Sequence, residues 1–219
     1  MHYWDVKSGE ITIGGRSITE YPSDTLMDMI SYVSQDNFLF DDSILENIRL
    51  GKSTATDDEV IRAEKAAASH DFIMNLPNQY QTRVGVDGGK SSGGEKQRIT
   101  IARAILKNAP IVVLDEATAY ADAENEDLIQ DAIHHLLKGK TIIVIAHRLQ
   151  SVVNADQILV VDKGRIHSSG IHEKLSVGCE QYRRLWCANQ AVVSSDMKFF
   201  EEQGMNQLAK ITTSVISLF

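Results

Sequence analysis

The spacing of apolar residues divides the chain into an alternating stretch, a helical stretch and a second alternating stretch. Apolar and polar residues alternate over 9–15 and 29–35, which predicts two strands, the first of them at a sheet edge. From about 36 to 106 the apolar residues recur at helical spacing, and strand and helix patterns alternate again from 107. This order predicts an α/β sheet core with a mostly helical insertion.

Helix-capping residues and a proline indicate where helices of the insertion begin and end. Four helices are predicted there, over residues 43–50, 56–68, 71–76 and 93–107. Thr56 and Glu59 have the spacing of a capping box, and Pro77 ends the third helix. Residues 84–92 are predicted to form a glycine-rich loop.

The second alternating stretch predicts strands over 111–114, 141–146, 157–161 and 165–167. The first is apolar throughout, which is typical of a strand buried on both faces. The helix after it has an apolar stripe, assigned to core packing, of Leu128, Ile129, Ala132, Ile133, Leu136 and Leu137. Short helices are expected near 172–175 and 180–187, and from about 192 the pattern no longer places the chain in the core.

Composition narrows the class of protein. The 219 residues suffice for one domain, or for one domain with an inserted lobe. The net charge of −8 disfavours a broad electrostatic grip on nucleic acid, so no nucleic-acid partner is expected. No apolar run approaches the roughly 20 residues of a membrane helix. Cys179 and Cys187 are too far apart for a CxxC motif and are expected to be free thiols.

Two adjacent carboxylates, Asp115 and Glu116, follow the apolar strand. The carboxyl ends of strands are where α/β proteins bind ligands. Asp115 could hold Mg²⁺ directly or through water, and Glu116 could orient or deprotonate a water for attack on a γ-phosphate. The alternative is a pair of solvated carboxylates in a loop.

Ser92, Gly93 and Gly94 stand at the start of the helix predicted over 93–107. Free N–H groups and the helix dipole make such an end an anion site. The alternative is a flexible loop in which Ser92 is a simple N-cap.

The order of these segments, SSGGEKQR from Ser91, then Asp115-Glu116, then His147 after a second apolar strand, resembles the nucleotide-binding domain of ATP-binding cassette (ABC) transporters of the exporter type. The likeness extends from about Tyr3 to Trp186. It implies a P-loop NTPase-like (RecA-like) sheet core with a helical signalling subdomain. The implied regions are a core of 1–35 and 107–186, a helical insertion of 36–106 with the signature motif, and a tail of uncertain structure over 187–219.

The resemblance also assigns a role to the serine-glycine segment. Ser92, Gly93 and Gly94 match the family signature, which binds the γ-phosphate of an ATP held by the opposite subunit. Ser91 replaces the usual leucine, and Glu95, also counted with the nucleotide-binding set, replaces the usual glutamine.

Five further positions match residues of the family's catalytic site. Asp115 matches the magnesium-linked aspartate and Glu116 the catalytic glutamate. Gln35 matches the glutamine that reaches both Mg²⁺ and the attacking water, and His147 matches the histidine that contacts the γ-phosphate. Asp122 matches the aspartate of the loop that couples the two subunits, a role compatible with a helix N-cap.

The family's phosphate-binding loop, or Walker A segment, should precede Tyr3, and the chain starts too late to contain it. Gly51-Lys52-Ser53-Thr54 is not a substitute, because Glu46 stands where the motif needs a glycine and because a helix precedes it. We predict a turn between two helices there. An N-terminally truncated or mis-started product is therefore expected, with an impaired ATP pocket and a signature that could still serve a partner.

The resemblance implies an ATP-binding and ATP-hydrolysing subunit or fragment that powers export, with ATP and Mg²⁺ as cofactors. The implied partners are a second nucleotide-binding domain, in a homo- or heterodimer, and the transmembrane domain of an exporter, which the segment from Phe38 to Ile48 is expected to face. That places the chain at the cytoplasmic face of the plasma membrane. The alternatives are a deficient partner that supplies only its signature face, and a soluble ABC ATPase of repair or translation.

Overall fold

The structure, a computed structural model, describes residues 6, 8–34, 36–85, 92–115, 123–146, 149–193 and 213–217. The chain groups into two compact units. The first unit comprises residues 1–112 and 118–136, and the second comprises residues 113–117 and 137–219. These divisions differ from the predicted boundaries of core and insertion, which stay a prediction.

The first unit begins with a small hairpin of strands β1 (Thr12–Ile13) and β2 (Arg16–Ser17). Gly14 and Gly15 form its turn at φ +59° and +80°, a backbone region that glycine enters without steric cost. The strand predicted over 9–15 is therefore shorter than expected and belongs to a two-stranded sheet. Strand β3 (Ile30–Val33) confirms the prediction over 29–35.

Helices make up most of the first unit. They are α1 (Ser23–Asp28), α2 (Ile44–Arg49), α3 (Asp57–Ala66), α4 (His70–Met74), α5 (Gly93–Lys107) and α6 (Ala123–Leu137). Helices α2 to α5 agree with their predicted bounds to within three residues at each end, whereas α1 was not predicted. A short antiparallel pair, β4 (Asp42–Ser43) and β5 (Arg83–Val84), lies at the start of α2.

Apolar faces of the helices form the core of the first unit. The fully buried side chains include Ile44 and Ile48 of α2, Val60 of α3, and Ile99 and Ile101 of α5.

The predicted stripe of α6 is confirmed at its buried positions, Ile129, Ala132, Ile133 and Leu136. It is wrong at Leu128, which is 41% exposed. At about 100° per residue the four buried positions span an arc of about 100° around the helix, and Leu128 lies about 40° beyond the edge of that arc.

Strand β6 (Ile111–Asp115) begins in the first unit, where the N–H of Ile111 donates to the carbonyl of Met29, and ends in the second unit. The second unit continues with strands β7 (Thr141–Ile145), β8 (Gln157–Asp162), β9 (Arg165–Gly170) and β10 (Thr213–Ser217), and with helices α7 (His172–Gly178) and α8 (Glu180–Val193). The predicted strands β6 to β9 and both short helices are confirmed.

Four strands of the second unit are neighbours in the order β7, β10, β8, β9. Strands β8 and β9 are antiparallel around the turn at Lys163 and Gly164. Strand β10 is parallel to both β7 and β8. The end of the chain, which no sequence pattern placed in the core, thus supplies an interior strand.

The buried cluster of the second unit lies between the sheet and the last helices. Tyr182 of α8 is buried there, and its hydroxyl lies 2.8 Å from Nδ1 of His172. Both cysteines are free thiols, as predicted, with Cys179 buried in this cluster. None of the helices in the described part of the chain is long and apolar enough to cross a membrane.

Candidate functional site

The start of α5 is the part of the predicted site that lies most fully within the described residues. Ser92 is its N-cap, with an extended backbone at φ −64° and ψ 161°. The Ser92 hydroxyl accepts a 3.2 Å hydrogen bond from the N–H of Glu95, and the Ser92 N–H donates a 2.8 Å bond to Oε2 of Glu95. These reciprocal bonds form a capping box, which satisfies two backbone donors at the helix end.

The capping box uses the N–H groups of Ser92 and Glu95, so the N–H groups left for an anion are those of Gly93 and Gly94. No carbonyl within the helix can accept from the N–H groups of Gly93 and Gly94, because they belong to its first turn. These groups and the positive end of a 15-residue helix favour a bound anion. The carboxylate of Glu95 puts a negative charge at the same end. The helix end therefore offers free donors to an anion and carries a competing negative charge.

Two polar contacts hold the side of α5. Thr100 Oγ1 lies 3.1 Å from Asn37 Oδ1, and the Arg98 guanidinium lies 5.2 Å from the centre of the Phe72 ring. The side chains of Gln97 and Arg98 are buried. The helix that begins at the serine-glycine segment is thus fixed along its first two turns.

A buried amide joins α5 to the segment before α2. Nε of Arg103 donates to the carbonyl of Asn47 at 2.8 Å, and its Nη2 donates to Oδ1 of Asn47 at 3.1 Å. Asn47 is fully buried, accepts from the N–H of Phe40 at 2.9 Å and donates to the carbonyl of Phe40 at 3.0 Å. This network was not foreseen from the sequence, where the signal was a lone asparagine in the apolar face of α2.

The segment fixed by Asn47 presents two aromatic rings to solvent. Phe38 is 57% exposed and Phe40 is 52% exposed. Their rings pack edge to face with centroids 5.0 Å apart. Exposed apolar groups held in one place are typical of a surface that binds another protein.

The segment at Gly51 is a turn between α2 and α3, as predicted. A Cβ on Gly51 would overlap the backbone carbonyl of Arg103, so the glycine serves close packing against α5. Lys52 is paired with Glu59 at 2.7 Å. The hydrogen bonds that Glu59 accepts, first from Lys52 and then from the backbone of Thr56, lower its pKa to about 2. Neither Gly51 nor Lys52 is placed to cradle a phosphate.

Asp115 is half-buried at the last position of β6. No group of three or more His, Cys, Asp or Glu side chains that could hold a metal ion occurs among the residues described. Mg²⁺ is commonly held by one or two carboxylates and several waters, so the donor chemistry of Asp115 fits this ion. The other predicted catalytic residues, Gln35, Glu116 and His147, and the coupling residue Asp122, lie outside the described residues.

A buried polar cluster at the end of α3 was not foreseen from the sequence. Glu64 is fully buried, and its Oε1 accepts a 2.7 Å hydrogen bond from the hydroxyl of Tyr80. Nδ1 of His70 lies 2.8 Å from the same oxygen. A charged residue in a short helix gives no sequence signal of burial, because its partners come from outside that helix.

The chain is similar to proteins and solved structures of one family. The family model described as "ABC transporter" matches residues 2–119. Proteins named as multidrug export ATP-binding/permease proteins, from Staphylococcus aureus strains NCTC 8325 and Mu50, are 47% identical over 184 residues, which is 84% of this chain and 32% of theirs. A solved structure described as a bacterial Atm1-family ABC exporter with ATP bound has a TM-score of 0.79 and 40% identity, over 87% of this chain and 33% of its own. The chain thus spans about a third of the length of these relatives.

Proposed function

Because the chain belongs to the ABC transporter family, whose model matches more than half of it, we propose that it belongs to a nucleotide-binding domain that hydrolyses ATP to drive export. Family membership and the solved ABC exporter confirm the predicted α/β, P-loop NTPase-like fold. The observation that carries the proposal is the capped start of α5, followed along the chain by the strand that ends at Asp115.

The start of α5 would bind the γ-phosphate of an ATP held by a second nucleotide-binding domain. The N–H groups of Gly93 and Gly94 would donate to phosphate oxygens. The Ser92 hydroxyl can donate its own hydrogen to a phosphate oxygen while it accepts from Glu95. The partner domain is accordingly part of the proposal, as a homo- or heterodimer.

The end of β6 would serve the ATP held by this chain's own domain. Asp115 would hold Mg²⁺, which when bound supplies positive charge to the β- and γ-phosphates. Glu116 would take a proton from the attacking water, and the Gln35 side-chain oxygen would orient that water. His147 would donate a hydrogen bond to a γ-phosphate oxygen. These four roles rest on the match of positions to the family.

The exposed pair Phe38 and Phe40 supports a membrane-domain partner. Two adjacent aromatic rings that the Asn47 network holds in solvent would bury their faces against an apolar surface. An exporter's transmembrane domain is the partner proposed for them. The chain would then lie at the cytoplasmic face of the plasma membrane.

A second candidate function is that of a subunit that contributes only its signature motif, at the start of α5, to the ATP site of another domain. The observation that favours it is that residues 92–107 form the capped helix α5 completely within the first unit. Such a helix could complete another domain's ATP site even where this chain binds no ATP itself.

A graft tests the proposed function. In the S. aureus NCTC 8325 relative, the 184 residues that align with this chain are replaced by the aligned residues of this chain. The ATP turnover of the resulting protein is then measured in membranes. We expect turnover near that of the relative, and its loss in the graft that carries Glu116→Gln. Turnover unchanged by Glu116→Gln would refute the catalytic role, and turnover insensitive to Ser92→Arg would refute the role of α5.

A further inference from the structure

A cavity of about 440 Å³ lies among four helices of the first unit. Side chains of α3, α4, α5 and α6 line it, together with the turn between α3 and α4. The lining residues are Lys65, Ala68, His70, Asp71, Phe72, Asn75, Arg98 and Leu128. Ser92 and Asp115, which the proposed function uses, are not among them. A volume of this size is typical of sites that bind small organic molecules.

The histidine of this cavity is held by two partners. Nδ1 of His70 lies 2.8 Å from Oε1 of Glu64 and 3.0 Å from the hydroxyl of Tyr80. Glu64 is fully buried, and a carboxylate beside an imidazole fixes the orientation of the ring and the nitrogen that carries hydrogen. Nε2 of His70 is therefore the nitrogen that remains for a ligand, and when protonated it donates to an anion.

The charges of the lining favour an anion. Lys65 and Arg98 are cations, whereas Asp71 is the single carboxylate among the described lining residues, in a chain whose net charge is −8. Arg98 is only 4% exposed, and its Cζ atom lies 5.2 Å from the centre of the Phe72 ring. A guanidinium packed against a ring is fixed in place, and its planar fork matches the oxygens of a carboxylate or a phosphate. The cavity thus offers an ordered cation to an anionic group.

The same cavity also has apolar side chains. Phe72 and Leu128 line it, and Leu128 is 41% exposed although Ile129 and Ile133 of the same helix are buried. A ligand ring placed against Leu128 would remove apolar surface from water, which is favourable in proportion to the area. Small-molecule sites combine such apolar walls with a few polar groups that orient the ligand. A ligand of this cavity should therefore have an apolar body as well as a negative charge.

The turn between α3 and α4 brings the lysine and the histidine to one cavity. Ala68 has a φ of 52°, a left-handed conformation that residues other than glycine seldom adopt. The N–H of Ala68 donates to the carbonyl of Lys65 at 3.1 Å, and the N–H of Ser69 donates to the carbonyl of Glu64 at 2.9 Å. A conformation of this kind persists only where the surrounding contacts hold it, and such positions are frequent at ligand sites. The backbone beside the cavity is therefore fixed before a ligand binds.

We propose that this cavity binds a small amphipathic anion, namely a planar apolar ring that carries one carboxylate or phosphate group. The ring would pack against Phe72 and Leu128. The anionic group would accept hydrogen bonds from Arg98 and Lys65, and from Nε2 of a protonated His70. The carboxylate of Asp71 would repel a second anionic group, which favours ligands that carry only one. The inference does not rest on the proposed function, because the two sites share no residue.

Fluorine NMR on the full chain tests the proposal with three probes of similar size. The anions para-fluorobenzoate and para-fluorophenyl phosphate carry the two candidate groups, and para-fluorobenzamide is the uncharged control. We expect at least one anion to bind about 10-fold tighter than the amide, because charge-assisted hydrogen bonds are stronger than neutral ones. The anion that binds more tightly identifies the anionic group. Anions that bind no more tightly than the amide would overturn the proposal. Displacement of the probes by an equal concentration of inorganic phosphate would overturn it as well, because the ring would then contribute nothing.

Matched variants show whether the probe binds in this cavity. Lys65→Gln removes a cation and Leu128→Asn removes an apolar contact, and each should weaken binding by about 3–5-fold. Both positions are exposed, so the variants should fold. Lys174→Gln and Leu50→Asn alter an exposed lysine and an exposed leucine outside the cavity and should leave the affinity unchanged. Equal weakening by the cavity variants and the control variants would contradict the proposal. Loss of binding in Ser92→Arg would also contradict it, because the probe would then occupy the start of α5.

Discussion

The backbone N–H of Ser92 donates a 2.8 Å hydrogen bond to the carboxylate of Glu95, and the N–H of Glu95 donates a 3.2 Å bond to the hydroxyl of Ser92. The pair starts α5 and at the same time holds a negative charge at the helix end proposed to bind a phosphate. A γ-phosphate bound there would therefore compete with the Glu95 carboxylate for the same positive end of the helix.

The first prediction concerns that competition. Glu95→Gln keeps an oxygen that can accept from the Ser92 N–H and removes the charge. We expect ATP-dependent association with a complete nucleotide-binding domain to tighten by about 2–5-fold, which corresponds to the roughly 0.3–1 kcal/mol of one charge at a helix end. Calorimetric titration of this chain with the domain of the S. aureus relative, in the presence of ATP, measures the change.

The chain contains a matched control for this charge. Thr56 and Glu59 form the same capping box at α3, with Thr56 N–H to Glu59 Oε2 at 2.8 Å. Glu59→Gln should leave ATP-dependent association unchanged. Equal tightening by both variants, or weaker association of Glu95→Gln, would show that the charge at α5 does not oppose the phosphate.

The second prediction concerns Gly51, where a Cβ would overlap the carbonyl of Arg103. Gly51→Ala should lower the free energy of unfolding by about 1–3 kcal/mol, because α2 and α5 must move apart. Urea unfolding at neutral pH measures this. Gly178→Ala is the control, since nothing lies within 4 Å of its Cβ, and it should change the free energy by less than about 0.5 kcal/mol. Equal effects of the two substitutions would contradict the packing assigned to Gly51.

The third prediction concerns the buried amide of Asn47. Asn47→Ala removes the side-chain oxygen that accepts from the N–H of Phe40 and from Nη2 of Arg103, and each buried group left unpaired costs roughly 1–3 kcal/mol. We expect the free energy of unfolding to fall by about 2–4 kcal/mol. Asn75→Ala, at an exposed position, should have little effect. In a double-mutant cycle, Asn47→Ala and Arg103→Ala should be strongly non-additive; additive losses would disprove the coupling.

The fourth prediction concerns Tyr80, whose hydroxyl donates to the buried Glu64. Burial, followed by the hydrogen bond to Glu64, raises the pKa of Tyr80 well above its ordinary value of 10.0. A raised pKa contributes stability that is fully present below the unfolded value and is lost as the pH rises above it. Tyr80→Phe should therefore destabilise the protein by about 1–3 kcal/mol near neutral pH and reduce the further loss between about pH 10 and pH 11.

Urea unfolding over that pH range provides the test for Tyr80, with Tyr21→Phe as the control. The Tyr21 hydroxyl donates to a backbone carbonyl, that of Ile13, at 3.0 Å and has no carboxylate as its acceptor. Its variant should keep the alkaline loss of the wild-type protein. An alkaline loss that is the same in Tyr80→Phe and in the wild-type protein would refute the role given to Glu64.

The parts of the fold that local signals define could be predicted from the sequence. Helix α5 begins after its serine cap and ends at Asn108, whose φ of 52° is a left-handed conformation that asparagine tolerates. Strand β6 could be predicted because it is an uninterrupted apolar run. In both cases the residues that determine the element lie within it or beside it.

The parts that depend on distant partners could not be predicted. Strand β10 has no apolar run, and its place is set by the gap between β7 and β8. The burial of Glu64 depends on Tyr80, 16 residues further along the chain. For the site, an N-cap role of Ser92 was one of the two alternatives that the sequence left open, and Glu95 was noted as a replacement of the usual glutamine. The capping box between Ser92 and Glu95 was not foreseen.

The most direct test of the central claim, that Ser92 of this chain contacts an ATP held by a second domain, is ATP turnover in a mixture. The partner is a complete nucleotide-binding domain of the S. aureus relative with its own signature serine replaced by arginine, so that it is inactive by itself. Addition of this chain should restore turnover. The Ser92→Thr variant should restore it as well, because threonine keeps the hydroxyl, whereas the Ser92→Arg variant should not. Failure of the unaltered chain to restore turnover, or restoration by Ser92→Arg, would contradict the account.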